Sequence, residues 1–206
     1  GEGGIRPMHA DYAKGIEALC RKKGILFLVD EVQGGLFRTG KPWAFQHFDL
    51  KPDVISSAKA LANGLPMGAI MTTDEISKGF VTGSHATTFG GGALVSAVAA
   101  QVVRIMKRDH LDERAAIVGG AFMENIRRIA ASHPGTIKEV RGLGLMIGIE
   151  LAFPAKDVWE ELIRRGFICN LSHEVVLRLL PALNIPEADL TAFADALEDI
   201  LAAVKR

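Results

Sequence analysis

Five consecutive apolar residues, Ile25-Leu26-Phe27-Leu28-Val29, run directly into Asp30. A strand with one wet face alternates apolar and polar side chains. A strand without alternation expects cover on both faces, which is the habit of parallel sheets packed between helices. The aspartate at its end places a carboxylate where such sheets bind ligands, in the crevice beyond the carboxyl ends of the strands. The run therefore predicts an α/β architecture. Residues 11–23 before it read as an amphipathic helix, with Tyr12, Ile16, Leu19 and Cys20 on one stripe. Arg21, Lys22 and Lys23 fill its last turn and Gly24 closes it. After a Gly-rich loop over 34–42, Val54-Ile55-Ser56-Ser57 reads as a second strand leading into Ala58-Lys59. A turn at Gly64 and Pro66 precedes a third strand, Gly68 to Thr72.

The second half of the chain has a different texture. Gly90-Gly91-Gly92 opens a small-residue helix from Ala93 to Lys107, and a second helix runs from Leu111 to Ser132. The stripe of that second helix is Ala115, Val118, Phe122, Ile126 and Ile129. Val140 to Leu151 reads as a glycine-punctuated strand region, followed by a helix over 155–165 and strands near 167–170 and 175–180. The last helix carries Pro186 in its first turn, with Glu187 and Asp189 nearby, and Lys205-Arg206 at its end. Its buried stripe is Leu190, Phe193, Leu197, Ile200 and Val204. These patterns place a boundary near residue 108, with part of a parallel α/β domain over 1–108 and a compact α+β domain over 109–206.

With 24 basic and 24 acidic residues among 206, the chain has no electrostatic footprint for nucleic acid or an anionic membrane. No apolar run approaches the roughly 20 residues of a membrane helix. Cys20 and Cys169 cannot form a disulfide scaffold and suit a reducing compartment. The opening Gly1-Glu2-Gly3-Gly4, without an initiating methionine, reads as a cut through a larger protein.

Two motifs imitate nucleotide sites and fail on context. Gly35 to Lys41 fits seven positions of a phosphate loop, but position 42 is proline where Mg²⁺ needs a hydroxyl, and the acidic strand end precedes the loop. Gly142-Leu143-Gly144-Leu145-Met146-Ile147-Gly148 imitates a dinucleotide fingerprint, but its glycines lie within a strand-like run, which predicts a bent strand. The histidines show no metal-ligand spacing. Lys59 is different: it follows a buried strand, so it should point into the crevice that Asp30 borders. Partial desolvation and nearby cations would lower its pKa from about 10.4 and make a neutral amine accessible. A lysine with an aspartate there is what pyridoxal phosphate requires, an imine-forming amine and an anion that keeps the pyridine nitrogen protonated. A structural Lys–Asp ion pair is an equal alternative on these residues alone. Thr87-Thr88-Phe89-Gly90-Gly91-Gly92 before a helix suits a phosphate, though such helix starts are also ordinary caps.

Taken in order, the segments Gly1-Glu2-Gly3-Gly4, Leu28-Val29-Asp30-Glu31-Val32-Gln33, Arg38-Thr39-Gly40, Pro52-Asp53 and Ser57-Ala58-Lys59-Ala60-Leu61 resemble the class III (ornithine-type) aminotransferases, fold-type I pyridoxal-phosphate enzymes. His85 to Gly91, Arg141 to Leu145 and Leu177-Arg178-Leu179-Leu180-Pro181 continue the resemblance. It implies an α/β chain, part of the large domain with a mostly parallel sheet and then a small α+β domain. It also implies roles: Lys59 as the cofactor-bearing lysine and proton shuttle, Asp30 on the pyridine nitrogen, Val32 against the ring, Gln33 near the phenolic oxygen, and Glu31 beside them in the same cofactor-binding segment. Thr88 would hold the phosphate of the neighbouring subunit's cofactor and Thr87 would lie near the substrate. Arg178 would clamp the α-carboxylate, and Glu2 resembles the family's gating glutamate, which pairs with that arginine when the distal amine is the donor. The implied partners are an amino-acid donor, N-acetylornithine before ornithine, succinylornithine or 4-aminobutyrate, together with 2-oxoglutarate. A cytoplasmic homodimer sharing its active sites is implied, with Ser84 to Gly92 at the interface. Gly92 departs from the asparagine of many relatives, and the family's upstream half, with its phosphate loop and stacking aromatic, is missing from this sequence. A chain with only this half expects an exposed apolar patch, an unpaired sheet edge and weak cofactor affinity, or no activity alone.

Overall fold

The computed structural model describes residues 1–204, so the cationic end foreseen at Lys205-Arg206 lies outside the described residues. Two compact units emerge, residues 8–37 with 41–110, and residues 1–7 with 38–40 and 111–206. The short segments 1–7 and 38–40 thus group with the C-terminal unit, a division that a single boundary near residue 108 does not describe.

In the first unit, α1 (Ala10–Lys23) closes at Gly24, whose left-handed φ of 63° frees its N–H to cap Arg21 and Cys20 carbonyls. β1 (Leu28–Asp30) follows, then β2 (Val54–Ser57) and β3 (Ala69–Thr72). β1 and β2 are parallel, with Leu28 opposite Val54 and Asp30 opposite Ser56. β3 runs antiparallel to β2, so this small sheet is mixed where the sequence suggested parallel strands. β1 is also shorter than its apolar run: the Asp53 carboxylate takes the Phe27 N–H at 2.7 Å, and the Phe27 carbonyl accepts the Asp53 N–H. Asp53 is held in turn by two bonds of 2.7 and 2.6 Å from Arg21 of α1, which pull its carboxyl below its ordinary range. One aspartate therefore ties the end of a helix to the entrances of two strands. A short helix α2 (Asp74–Ser77), capped by Thr73, and the longer α3 (Ala93–Arg108) complete the unit. α3 packs on the 3-10 turn Lys59–Ala62, in which Ala62 is fully buried.

The sheet faces of this unit are unequal. Leu28, Asp30, Ser56 and Ile70 share one face through their register. Leu28 is 60% exposed and Ile70 66%. The double cover that the apolar run calls for is not supplied by the described residues of this unit.

In the second unit, α4 (Leu111–Ser132) buries Ala115, Val118, Phe122, Ile126 and Ile129, as its periodicity predicts. β4 (Ile137–Leu143) and β5 (Met146–Leu151) form a hairpin, followed by α5 (Lys156–Arg164), β6 (Asn170–Ser172), β7 (Val176–Leu179) and α6 (Glu187–Ala203). The sheet order is β4-β5-β7-β6, antiparallel throughout. The glycine run 142–148 is thus a tight hairpin and not one bent strand. Gly144 turns the chain at a φ of 54°, a left-handed conformation that the two-residue loop demands. α6 buries Leu190, Phe193, Leu197 and Ile200, while Val204 lies just past its end, half-buried. Phe193 packs its ring on Phe122 of α4 and Phe167, with centroids 6.0 and 5.5 Å away. Burying one such ring contributes about 2 kcal/mol, so these contacts fix the helices on the sheet.

Candidate active site

Asp30 ends β1, and Lys59 lies two residues beyond the end of β2. Because the two strands are parallel neighbours with Asp30 opposite Ser56, both residues stand at the same, carboxyl edge of the sheet. Asp30 Oδ1 accepts the Val32 N–H at 2.9 Å and the Ser56 hydroxyl at 3.2 Å. Both of these bonds fall on one oxygen, Oδ1. The structural ion pair that was an equal alternative does not form between Lys59 and Asp30 among the described residues. Lys59 has a left-handed backbone, φ 44°, at the first residue of its 3-10 turn. Such a conformation costs a non-glycine residue about 1 kcal/mol and is held here by the turn and by α3 behind it. Lys59 is exposed, so the partial desolvation expected from sequence is not provided by this chain's own atoms.

Glu31, next to Asp30, points elsewhere. It is buried and accepts the Ala44 and Phe45 N–H groups at 3.0 and 2.8 Å, starting the 3-10 helix Ala44–Phe48. Burial pushes its carboxyl up, against those two bonds. Its contacts are those of an acid that holds the start of this 3-10 helix. Val32 and Gln33 are half-buried in the turn that follows β1. Thr87 and Thr88 are exposed, in a segment where Phe89 is 89% exposed. Neither threonine caps α3, whose N-cap is Gly92 without a side-chain bond.

Arg178 and Glu2, near opposite ends of the sequence, do meet. Arg178 Nη1 donates to Glu2 Oε1 at 2.6 Å. Arg178 projects from β7, mostly buried, and its Nε has no partner among the described residues, while Glu2 is largely exposed. Both belong to the same compact unit, so the contact needs no reach from one unit to the other. Arg178 also lines a cavity of ≈ 590 Å³ with Asn170, Leu179 and Phe193 among its walls. A guanidinium with an unused Nε and an exposed, displaceable carboxylate partner is suited to exchange that partner for a ligand's carboxylate.

Two residues that sequence reasoning quoted without a role anchor this region. Arg38 is half-buried and donates to the Leu145 and Pro181 carbonyls, and desolvation lowers its pKa. Arg141 is buried and holds the carbonyls of Gly4 and Ile5 together with Glu150. A long-range role of this kind leaves no spacing signal; only the charge inside an apolar strand pattern hints at it.

An amine and a carboxylate at adjacent strand ends, both accessible, fit the cofactor that the sequence resemblance implies. The pair supplies an imine-forming group and an anion for a pyridine nitrogen. The open sheet face beside Asp30 leaves room for a planar ring.

The family described as "Aminotransferase class-III" matches residues 1–201. An acetylornithine aminotransferase of Methanocaldococcus jannaschii is 38% identical over 206 residues, all of this chain and 52% of the relative. A solved acetylornithine aminotransferase from Elizabethkingia anophelis superposes with a TM-score of 0.92 at 31% identity, covering 99% of this chain and 52% of that one. An ornithine aminotransferase from Toxoplasma gondii, in a structure with partial occupancy of PLP at the active site, gives 0.93 at 33% identity over 99% of this chain and 49% of its own. The chain spans about half the length of the curated relatives it matches. Fold, ordered motifs and similarity along this chain together make it a member of the class III aminotransferase family.

Proposed function

We propose that the protein carrying this chain is a pyridoxal-phosphate aminotransferase that moves the distal amino group of N-acetylornithine to 2-oxoglutarate, giving N-acetylglutamate semialdehyde and glutamate, a step of arginine biosynthesis. The observation that carries the reading is the placement of Asp30 and Lys59 at the carboxyl ends of adjacent parallel strands. When bound, the cofactor supplies an electron sink for the carbon that loses its proton. Lys59 Nζ anchors it and carries that proton from one carbon to another. The Asp30 carboxylate would keep the pyridine nitrogen protonated. Val32 and Gln33 border the ring, Thr87 lies near the substrate, and Thr88 holds the phosphate of the neighbouring subunit in a homodimer. Glu31 supports this segment from behind by fixing the chain at Ala44 and Phe45.

Arg178 binds an α-carboxylate, and Glu2 covers it when the donor presents its distal amine. This exchange lets one site accept a donor by its far end and an oxo acid by its near end. The names of the similar curated proteins favour N-acetylornithine. The fit to a solved ornithine aminotransferase supports ornithine as the second reading. The half of the family length outside this chain would cover the open sheet face and read the donor's distal end. A cytoplasmic location accompanies this reading.

The test is a donor panel on the full-length protein with 2-oxoglutarate, reading glutamate formation. N-acetylornithine should give the highest kcat/KM, and Lys59→Ala should abolish turnover with every donor. A preference for ornithine or 4-aminobutyrate would replace the substrate, and turnover by Lys59→Ala would remove the mechanism.

A further inference from the structure

One cross-strand row runs over the second sheet: Arg141 of β4 is opposite Gly148 of β5, Gly148 is opposite Arg178 of β7, and Arg178 is opposite Asn170 of β6. Residues so paired project to the same face. The row therefore holds two arginines with a glycine between them. The main chain of Gly4 and Ile5 fills the space above that glycine. A Cβ at position 148 would stand 3.0 Å from the Gly4 carbonyl oxygen and 3.1 Å from Ile5 Cβ. Arg141 grips the same two residues from one side. Its Nε donates to Gly4 O at 3.0 Å and Ile5 O at 2.7 Å, and its Nη2 donates to Gly4 O at 2.7 Å. Its Nη1 is held by Glu139 and Glu150, both at 2.6 Å. The segment's own turn, with the Gly4 and Ile5 N–H groups on the Gly1 carbonyl, sets Glu2 beyond this grip. Glu2 then meets Arg178 on the other side of the glycine.

An exposed glutamate pairing with an arginine gains little and would spend much of its time elsewhere if its backbone were free. Here the backbone is not free. We infer that Arg141 and Gly148 are positioning residues which seat Gly4 and Ile5 so that Glu2 caps Arg178, and that they thereby set how readily Arg178 accepts a ligand carboxylate. The inference rests on the reading of Arg178 as the carboxylate site and adds to it the device that holds the competing carboxylate in place.

Glutarate, a dicarboxylate without reactive groups, is the probe, and its affinity for the 206-residue chain is read by calorimetry. Removing the cap with Glu2→Gln should tighten glutarate about three- to fivefold. Gly148→Ala should tighten it equally by displacing Gly4 and Ile5, and Gly148→Ala with Glu2→Gln should add nothing to either alone. Arg141→Lys, which keeps a charge beside Glu150 but loses the fork on Gly4 and Ile5, should act in the same direction. A gain in affinity cannot come from partial unfolding, which would only weaken binding. Hydrogen exchange at the Ile5 amide should quicken in both variants, and this measurement decides if either variant folds too poorly for calorimetry. Glutarate binding that survives Arg178→Ala would defeat the underlying site reading. Tightening by Glu2→Gln with wild-type affinity and wild-type exchange in Gly148→Ala and Arg141→Lys would keep that reading and overturn this inference.

Discussion

Glutamine at position 150 would preserve the shape of the side chain and remove its charge. Glu150 is nearly buried in its strand and receives Lys138 Nζ at 2.6 Å, Arg141 Nη1 at 2.6 Å and Arg6 Nη2 at 3.4 Å. Those bonds, Lys138 first and Arg141 next, hold its carboxyl down from its ordinary 4.5 to about 2. Each tenfold change in proton affinity is worth about 1.4 kcal/mol, so the ionised form gains on the order of 3 kcal/mol in the folded chain. The folded value is below the unfolded one. The stabilisation is therefore complete above the ordinary carboxyl value and disappears as pH falls through about 2. Urea unfolding of both proteins should show Glu150→Gln weaker by about 3 kcal/mol at neutral pH. The gap should shrink by about 1.4 kcal/mol for each pH unit below the ordinary carboxyl value, leaving about two-fifths of it near pH 3. A gap that stays constant from neutral pH to pH 3 would show that shape or packing, and not the charge network, carries the effect.

Gly144→Ala should destabilise the chain by about 3 kcal/mol or more, because its Cβ would stand 2.5 Å from the Thr39 carbonyl carbon and 2.7 Å from the Gly40 nitrogen at a left-handed φ. Gly120→Ala on α4 meets nothing within 4 Å and should stabilise by about 0.5–1 kcal/mol, so equal thermal shifts in the two variants would refute the steric argument. Leu28→Thr and Ile70→Thr together should lower the fluorescence of an environment-sensitive apolar dye bound to the 206-residue chain, since both side chains lie exposed on one sheet face. Unchanged dye binding would place the accessible apolar surface elsewhere.

Where local chemistry decides structure, the sequence was readable. The three cations and Gly24 at the end of α1 gave its boundary, and the spacing of Ala115, Val118, Phe122, Ile126 and Ile129 gave the buried face of α4. Asp30 and Lys59 were legible as candidate site residues because each follows a strand pattern, and strand ends share an edge once the strands are parallel. The hairpin at Gly144 was missed because a glycine in a strand-like run fits both a bend and a two-residue turn, and only pairing with β5 separates them. The direction of β3 was missed for the same reason: periodicity is blind to strand polarity. Glu31 looked like its neighbour Asp30, but successive strand residues face opposite ways, and its carboxylate went to the Ala44 and Phe45 amides. The exposure of Lys59 and Leu28 could not be read from their own segments, since cover depends on what packs against them.

In the proposed function, Lys59 and Asp30 form one cofactor site at the carboxyl edge of the first sheet. The most direct test is brief exposure of the protein to pyridoxal phosphate, reduction with borohydride and peptide mapping of the modified lysines. Lys59 should be labelled ahead of the other lysines, and Asp30→Asn should diminish that label while leaving the weaker background unchanged. Labelling spread evenly over surface lysines, or a Lys59 label indifferent to Asp30→Asn, would contradict the account.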